Sequence, residues 1–93
     1  MPKKSTSKFT PLTNTQIRAG RALVGWSAAD LAREAALGLA TIRRAEGAEG
    51  RTSLTMANDL AVRRALEGAG VEFIDENGGG PGVRLRKRQA KKV

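Results

Sequence analysis

The side chains best able to do chemistry in this chain are its basic ones. The 93 residues include 17 Lys plus Arg against 9 Asp plus Glu, which gives a net charge of +8. This excess favours a polyanionic partner such as nucleic acid. The chain has no His and no Cys, so the commonest general base, thiolate and imidazole metal ligands, and disulfides are all missing. We therefore predict no enzyme activity, no catalytic residue, no cofactor and no metal site.

The excess positive charge lies at the two ends of the chain. The first eight residues contain three lysines and no acid; these are Lys3, Lys4 and Lys8. The last ten contain six basic residues and no acid; these are Arg84, Arg86, Lys87, Arg88, Lys91 and Lys92. The body between them holds the other eight basic residues with all 9 acids, so it is close to neutral. The ends are either solvated segments or arms that contact phosphates, and the sequence leaves both interpretations open.

Two spacings typical of capping boxes predict where helices begin. Thr13 and Ser27 are each followed, three residues later, by a side chain that can return the hydrogen bond. They predict a helix over 14–24, ended by Gly25, and a short helix ending near Ala36. On the first helix Ile17, Gly20 and Val24 face the core, with Ala19 and Leu23 alongside and Arg18 and Arg21 pointing elsewhere.

A third and a fourth helix follow. The third is predicted over 40–47, and the fourth from a cap at Thr52 or Ser53 to about Gly68. On the fourth helix one apolar stripe is expected; its members are Leu54, Ala57, Ala61, Val62, Ala65, Leu66 and Ala69. Met56 and Leu60 fall on the opposite side, which indicates either a broken helix or a face for another subunit.

The remainder of the body alternates apolar and charged residues across a glycine-rich turn. Val71 and Phe73, then Val83 and Leu85, flank residues 75–82, a pattern typical of a β-hairpin. The sequence therefore predicts a mainly α domain of four to five helices with a C-terminal hairpin. Its expected parts are a disordered basic arm (1–11), a helical domain (12–70), the hairpin (71–85) and a basic tail (86–93).

The segment from Trp26 to Glu46 resembles the helix-turn-helix of Cro and phage repressors, the Xre family. The resemblance covers about residues 12–70 and rests on scaffold positions at matching spacing: Leu31, Ala32, Leu37, Ile42, Ala45 and Glu46. Three positions depart from the usual pattern. Ala36 stands where the turn commonly has Gly, and it fits if the turn avoids positive φ. Gly38 stands where a Ser or Thr commonly caps the third helix. Ala28 stands where a Gln commonly contacts the DNA backbone.

The resemblance implies which residues would touch DNA. The third helix would enter the major groove, with base contacts from Arg44 and Arg43 first, then Thr41, Leu39 and Ala40. Arginine can donate two hydrogen bonds to guanine O6 and N7. Phosphate contacts are expected from Arg51, Thr52 and Ser53 and from Lys3, Lys4 and Lys8. The alternative is that Arg43 and Arg44 form a salt-bridged exposed face with Glu46 and Glu34.

We expect the protein to be a sequence-specific transcriptional regulator that binds double-stranded operator DNA. Repression is the simplest mode of action for it. One helix reads few base pairs, so a homodimer on an inverted repeat is expected. The candidate dimer residues are Met56, Leu60, Phe73, Ile74, Val83 and Leu85. Two alternatives remain open: a protein-interaction module such as an antiactivator, and a DNA-bending recombination accessory factor. With no apolar run near the roughly 20 residues of a membrane span and no signal peptide, we expect a cytoplasmic bacterial or phage protein with no membrane partner and no small-molecule ligand.

Overall fold

The fold is four helices followed by one β-hairpin. The computed structural model describes residues 9–86; Lys3, Lys4, Lys8 and residues 87–93 lie outside that range. In chain order the described part contains α1 (Asn14–Val24), α2 (Ala28–Ala35), α3 (Leu39–Gly47), α4 (Met56–Gly68), β1 (Val71–Ile74) and β2 (Gly82–Leu85). The predicted mainly α domain with a C-terminal hairpin is confirmed. None of the helices within 9–86 has the length and apolar character needed to cross a membrane.

Both predicted capping boxes are present. The Thr13 hydroxyl accepts a hydrogen bond from the Gln16 amide at 3.1 Å, and the Gln16 side chain accepts one from the Thr13 amide at 2.9 Å. Ser27 and Asp30 make the same reciprocal pair. Gly25 ends α1 with φ 71°, a left-handed torsion that glycine adopts at no steric cost. Local hydrogen bonding thus fixes the start of two helices and the end of one.

The turn between α2 and α3 differs from expectation at Ala36. This residue ends α2 with φ 59° and ψ 41°. The expectation that the turn avoids positive φ at Ala36 is therefore wrong. Its amide donates to the carbonyls of Ala32 and Arg33, which satisfies the end of the helix. A left-handed torsion costs a residue with a Cβ roughly 1–2 kcal/mol. The turn therefore carries backbone strain that the glycine common at this position would relieve.

Helix α4 begins later than predicted and buries a different face. Its cap is Thr55, whose side chain accepts from the Asn58 amide at 3.1 Å, and neither Thr52 nor Ser53 caps it. Its buried residues are Asp59, Val62 and Leu66. Ala57, placed on the apolar stripe, is exposed. Ala69, also placed on the stripe, is exposed as well. The predicted stripe is therefore wrong at both ends, because the buried side of α4 includes Asp59, which the stripe left out.

The core is a small aliphatic cluster shared by all four helices and β1. Its largest fully buried apolar members are Leu12, Ile17, Leu31, Ile42, Val62, Leu66 and Val71. Gly20 lets α1 approach α4, since a Cβ built there would lie 3.2 Å from Leu66 Cδ1. Trp26 is partly buried and packs against the cluster. With so little aromatic volume, close helix packing provides most of the burial.

The hairpin is pinned to the helices by one glutamine. Strands β1 and β2 pair antiparallel, with Phe73 opposite Val83 and Glu72 opposite Arg84. The side-chain amide of Gln16 donates to the carbonyls of Ile74 at 3.2 Å and Gly82 at 3.1 Å. A lone hairpin is marginal in water, and here it is held by this amide and by packing on α1 and α4.

Candidate nucleic-acid interface

Helix α3 presents one buried and one exposed side. Ile42 and Ala45 are 0% and 1% exposed and pack in the core. The exposed side carries Ala40, Arg43 and Arg44. Leu39 and Thr41 are half-buried at its margin. Three of the five predicted base-contact residues are therefore exposed on one side of α3, and the other two, Leu39 and Thr41, lie at its edge. Gly38 makes no side-chain cap bond, as its lack of a side chain requires.

An ion pair that sequence reasoning missed holds the C-terminal end of α3. Arg21 Nε donates to Glu46 Oε2 at 2.6 Å, and Arg21 Nη2 donates to Glu46 Oε1 at 2.8 Å. The two side chains are 21% and 10% exposed. Hydrogen bonding to Glu46 raises the pKa of Arg21 further above its ordinary value. Arg21 also donates to the Trp26 carbonyl at 3.0 Å. Arg21, predicted to lie off the apolar side of α1, thus joins α1 to α3.

The Arg21–Glu46 ion pair occupies one of the two carboxylates expected to pair with Arg43 and Arg44. Because Glu46 is bidentate to Arg21, it is not the partner proposed in the salt-bridged alternative. Within residues 9–86 neither Arg43 nor Arg44 is part of an ion pair. Arg33, the neighbouring cation of α2, is paired with Asp30. The guanidinium groups of Arg43 and Arg44 are thus available to a partner.

A cleft of about 170 Å³ separates α3 from the start of α4. Its lining is mainly polar; the residues are Thr41, Arg44, Ala45, Ser53, Leu54, Thr55 and Asn58. The amino-terminal end of α4 opens on this cleft, where the helix dipole favours negative charge. Thr55 and Asn58 were not among the predicted site residues. The sequence carries a signal for Thr55, a threonine directly before a helical segment, but the predicted caps were Thr52 and Ser53.

The residues predicted to contact phosphates differ in their exposure to solvent. Arg51 and Ser53 are exposed, whereas Thr52 is buried and its amide donates to the Leu12 carbonyl at 3.2 Å. Arg51 Nη1 donates to the Pro11 carbonyl at 2.7 Å, which leaves its other nitrogens for a further acceptor. The three arm lysines lie outside the described residues. Arg51 and Ser53 are thus the accessible members of the described set.

The predicted dimer residues do not form one surface. Met56 and Leu85 are the most exposed, at 55% and 51%. Met56 begins α4 beside the α3 cleft, whereas Leu85 lies on the hairpin, which follows the other end of that helix. Phe73 and Val83 pack against the core. Leu60 and Ile74 are half-buried. Helix α4 has 13 residues, so its two ends lie about 18 Å apart at the helical rise.

The chain matches no protein-family model, and no curated protein sequence is similar to it.

Proposed function

We propose that this protein is a sequence-specific DNA-binding transcriptional regulator, a repressor that acts as a homodimer on an inverted-repeat operator in the cytoplasm. The observation that carries the proposal is the exposed side of α3. There Arg43 and Arg44 have no ion-pair partner among residues 9–86, while the opposite side of the same helix is buried. A short, rigidly seated helix with free guanidinium groups suits bidentate donation to guanine in the major groove.

The surroundings of α3 support the same proposal. The three-residue turn 36–38 joins α2 to α3, the spacing of a helix-turn-helix. The Arg21–Glu46 pair fixes the far end of α3. The cleft beside Arg44 places the hydroxyl groups of Ser53 and Thr55 and the start of α4 next to the exposed face. Hydroxyls and helix amino termini are common phosphate donors in protein–DNA interfaces.

The test is an anisotropy titration of labelled duplexes with wild type, Arg44→Ala and Arg18→Ala. One duplex is the DNA upstream of the protein's own gene, and the other is a shuffled sequence of equal length. We expect Arg44→Ala to lose about 1–3 kcal/mol of discrimination between them. Arg18 is an exposed arginine on α1, so its removal should lower both affinities equally. Equal binding of wild type to both duplexes would contradict sequence-specific regulation and favour a DNA-bending accessory role; no binding to either would favour a protein-interaction module.

The dimer is the second part of the proposal, and the hairpin is the side we favour for it. Met56 adjoins the cleft at the face proposed to meet DNA, so it is poorly placed to contact a second subunit there. Leu85 projects from the hairpin with half of its surface exposed. Sedimentation equilibrium should show dimers of wild type and Met56→Ser, and monomers of Leu85→Ser. Dimers of Leu85→Ser would place the interface elsewhere.

A further inference from the structure

The turn of the hairpin is built around one asparagine and the glycines that follow it. Residues 75–81 join β1 to β2, and within them Asn77 directly precedes Gly78. Both residues are exposed. Gly78 has φ 101°, a torsion that residues with a Cβ rarely adopt. Because Gly78 also has no side chain, its backbone nitrogen is unhindered.

Three hydrogen bonds arrange the groups around that nitrogen. Glu76 Oε2 accepts from the amide of Gly78 at 3.0 Å and from that of Gly80 at 3.1 Å. The carboxylate is thus held against the Gly78 nitrogen. The amide of Gly79 donates to Asn77 Oδ1 at 3.3 Å. A proton acceptor therefore adjoins the nitrogen, and a hydrogen-bond donor adjoins the carbonyl oxygen of the asparagine side chain.

We propose that Asn77–Gly78 is a site of self-catalysed deamidation, in which the turn supplies the nucleophile and the groups that activate it. The Gly78 nitrogen attacks Asn77 Cγ, and its proton passes to Glu76 Oε2, which acts as the general base. The Gly79 amide stabilises the negative charge that develops on Asn77 Oδ1, as a donor in an oxyanion hole does. When the bond from Cγ to Nδ2 breaks, Glu76 returns the proton and ammonia leaves.

The first product is a cyclic imide, which water then opens at either of its carbonyl groups. Opening at one carbonyl gives aspartate at position 77, and opening at the other gives isoaspartate. The net reaction consumes one water and releases one ammonia, so it needs no reactant besides solvent. Either product removes one unit from the net charge of +8. Isoaspartate also inserts an extra carbon into the backbone of the turn.

The other two asparagines of the chain provide internal references. Asn14 begins α1 and is followed by Thr15, whereas Asn58 lies in α4 and is followed by Asp59. Helical backbone torsions and the Cβ of the following residue both oppose closure of the imide ring, which requires the reacting atoms to be aligned. Deamidation is therefore expected at Asn77 alone.

Peptide mass spectrometry of the aged full-length protein tests the proposal. Folded protein is incubated at neutral pH and then digested in heavy-oxygen water, which marks any conversion that occurs during digestion. We expect acid in place of amide at Asn77, and an isoaspartyl methyltransferase should label part of it. Glu76→Gln should slow the conversion about tenfold. This is less than the roughly 100-fold of a typical positioned base, because the Glu76 carboxylate is exposed.

Asp75→Ser is the matched control for charge. It removes a neighbouring exposed carboxylate that is not the acceptor for the turn amides, so it should leave the rate unchanged. Incubation in urea separates the folded turn from the sequence alone. Wild type should convert faster when folded than when unfolded, and Glu76→Gln should lose that difference.

Three results would each overturn the proposal: no conversion at Asn77, equal rates in folded and unfolded wild type, or equal rates in folded wild type and Glu76→Gln. The reaction involves no DNA, so its outcome is independent of the proposed DNA-binding function.

Discussion

Replacing Glu46 with alanine should lower the free energy of unfolding by about 2–3 kcal/mol. The substitution removes two charge-assisted hydrogen bonds, at 2.6 and 2.8 Å, from the guanidinium of Arg21. Breaking a fully buried ion pair costs about 3–5 kcal/mol, whereas exposed pairs contribute about 0.2–1 kcal/mol. With side chains 21% and 10% exposed, this pair lies between those limits.

A double-mutant cycle isolates the interaction itself. Arg21→Ala also loses the bond to the Trp26 carbonyl, so it should cost about 1 kcal/mol more than Glu46→Ala. The coupling between the two substitutions should be about 2 kcal/mol, measured by urea unfolding of all four proteins. Glu49→Ala is the matched control, because Glu49 is exposed in the loop after α3 and has no ion pair within residues 9–86. A coupling below about 0.5 kcal/mol, the value of a surface pair, would refute the claim that this pair secures α3.

Three further substitutions test local features of the fold. Ala36→Gly should stabilise the protein by about 0.5–1 kcal/mol, because relief of the left-handed torsion exceeds the entropy that glycine adds to the unfolded chain; a loss of stability in urea unfolding would contradict this. Thr55→Ala should lower the free energy of unfolding by about 1 kcal/mol, whereas Ser53→Ala should change it by no more than about 0.5 kcal/mol. Equal losses in the two variants would show that Thr55 is not the cap of α4. The amide of Ser27 and the guanidinium of Arg33 hold the pKa of Asp30 below its ordinary value, so the stabilisation by Asp30 is complete above about pH 3.9 and is lost as the pH falls through the folded-state pKa. The melting temperature should therefore fall less steeply with decreasing pH in Asp30→Asn than in wild type. Equal slopes would show that Asp30 does not contribute to this pH dependence.

Features set by neighbours in sequence were predictable. Thr13 with Gln16 and Ser27 with Asp30 encode their helix starts in a spacing of three residues. Gly25 likewise marks the end of α1 by its conformational freedom. The hairpin followed from alternation around a glycine-rich turn. Each of these signals lies within one element, so the chain itself carries the needed geometry.

Features set by distant contacts were not predictable. Asp59 lies on the buried side of α4, where it accepts a hydrogen bond from the Leu12 amide 47 positions away. Arg21 turns inward only because Glu46 is there to receive it. Ala36 adopts a left-handed torsion although its own Cβ opposes it, since packing of α2 against α3 determines the turn. In the candidate site, the residues of α3 and the scaffold positions Ile42, Ala45 and Glu46 were predicted by resemblance, whereas the pairing of Arg21 with Glu46 was found only in the structure.

We propose that α3 reads a DNA sequence through Arg44, and selection from a random pool of duplexes is the sharpest test of this proposal. The full-length protein, Arg44→Ala and Arg64→Ala are each taken through the same rounds, and the enriched duplexes are sequenced. We expect wild type and Arg64→Ala to enrich one inverted repeat with half-site centres about 10 base pairs apart. Arg44→Ala should lose a guanine at one position of each half-site while keeping the rest. Enrichment of no motif by wild type, or of the same motif with that guanine intact by Arg44→Ala, would contradict the claim.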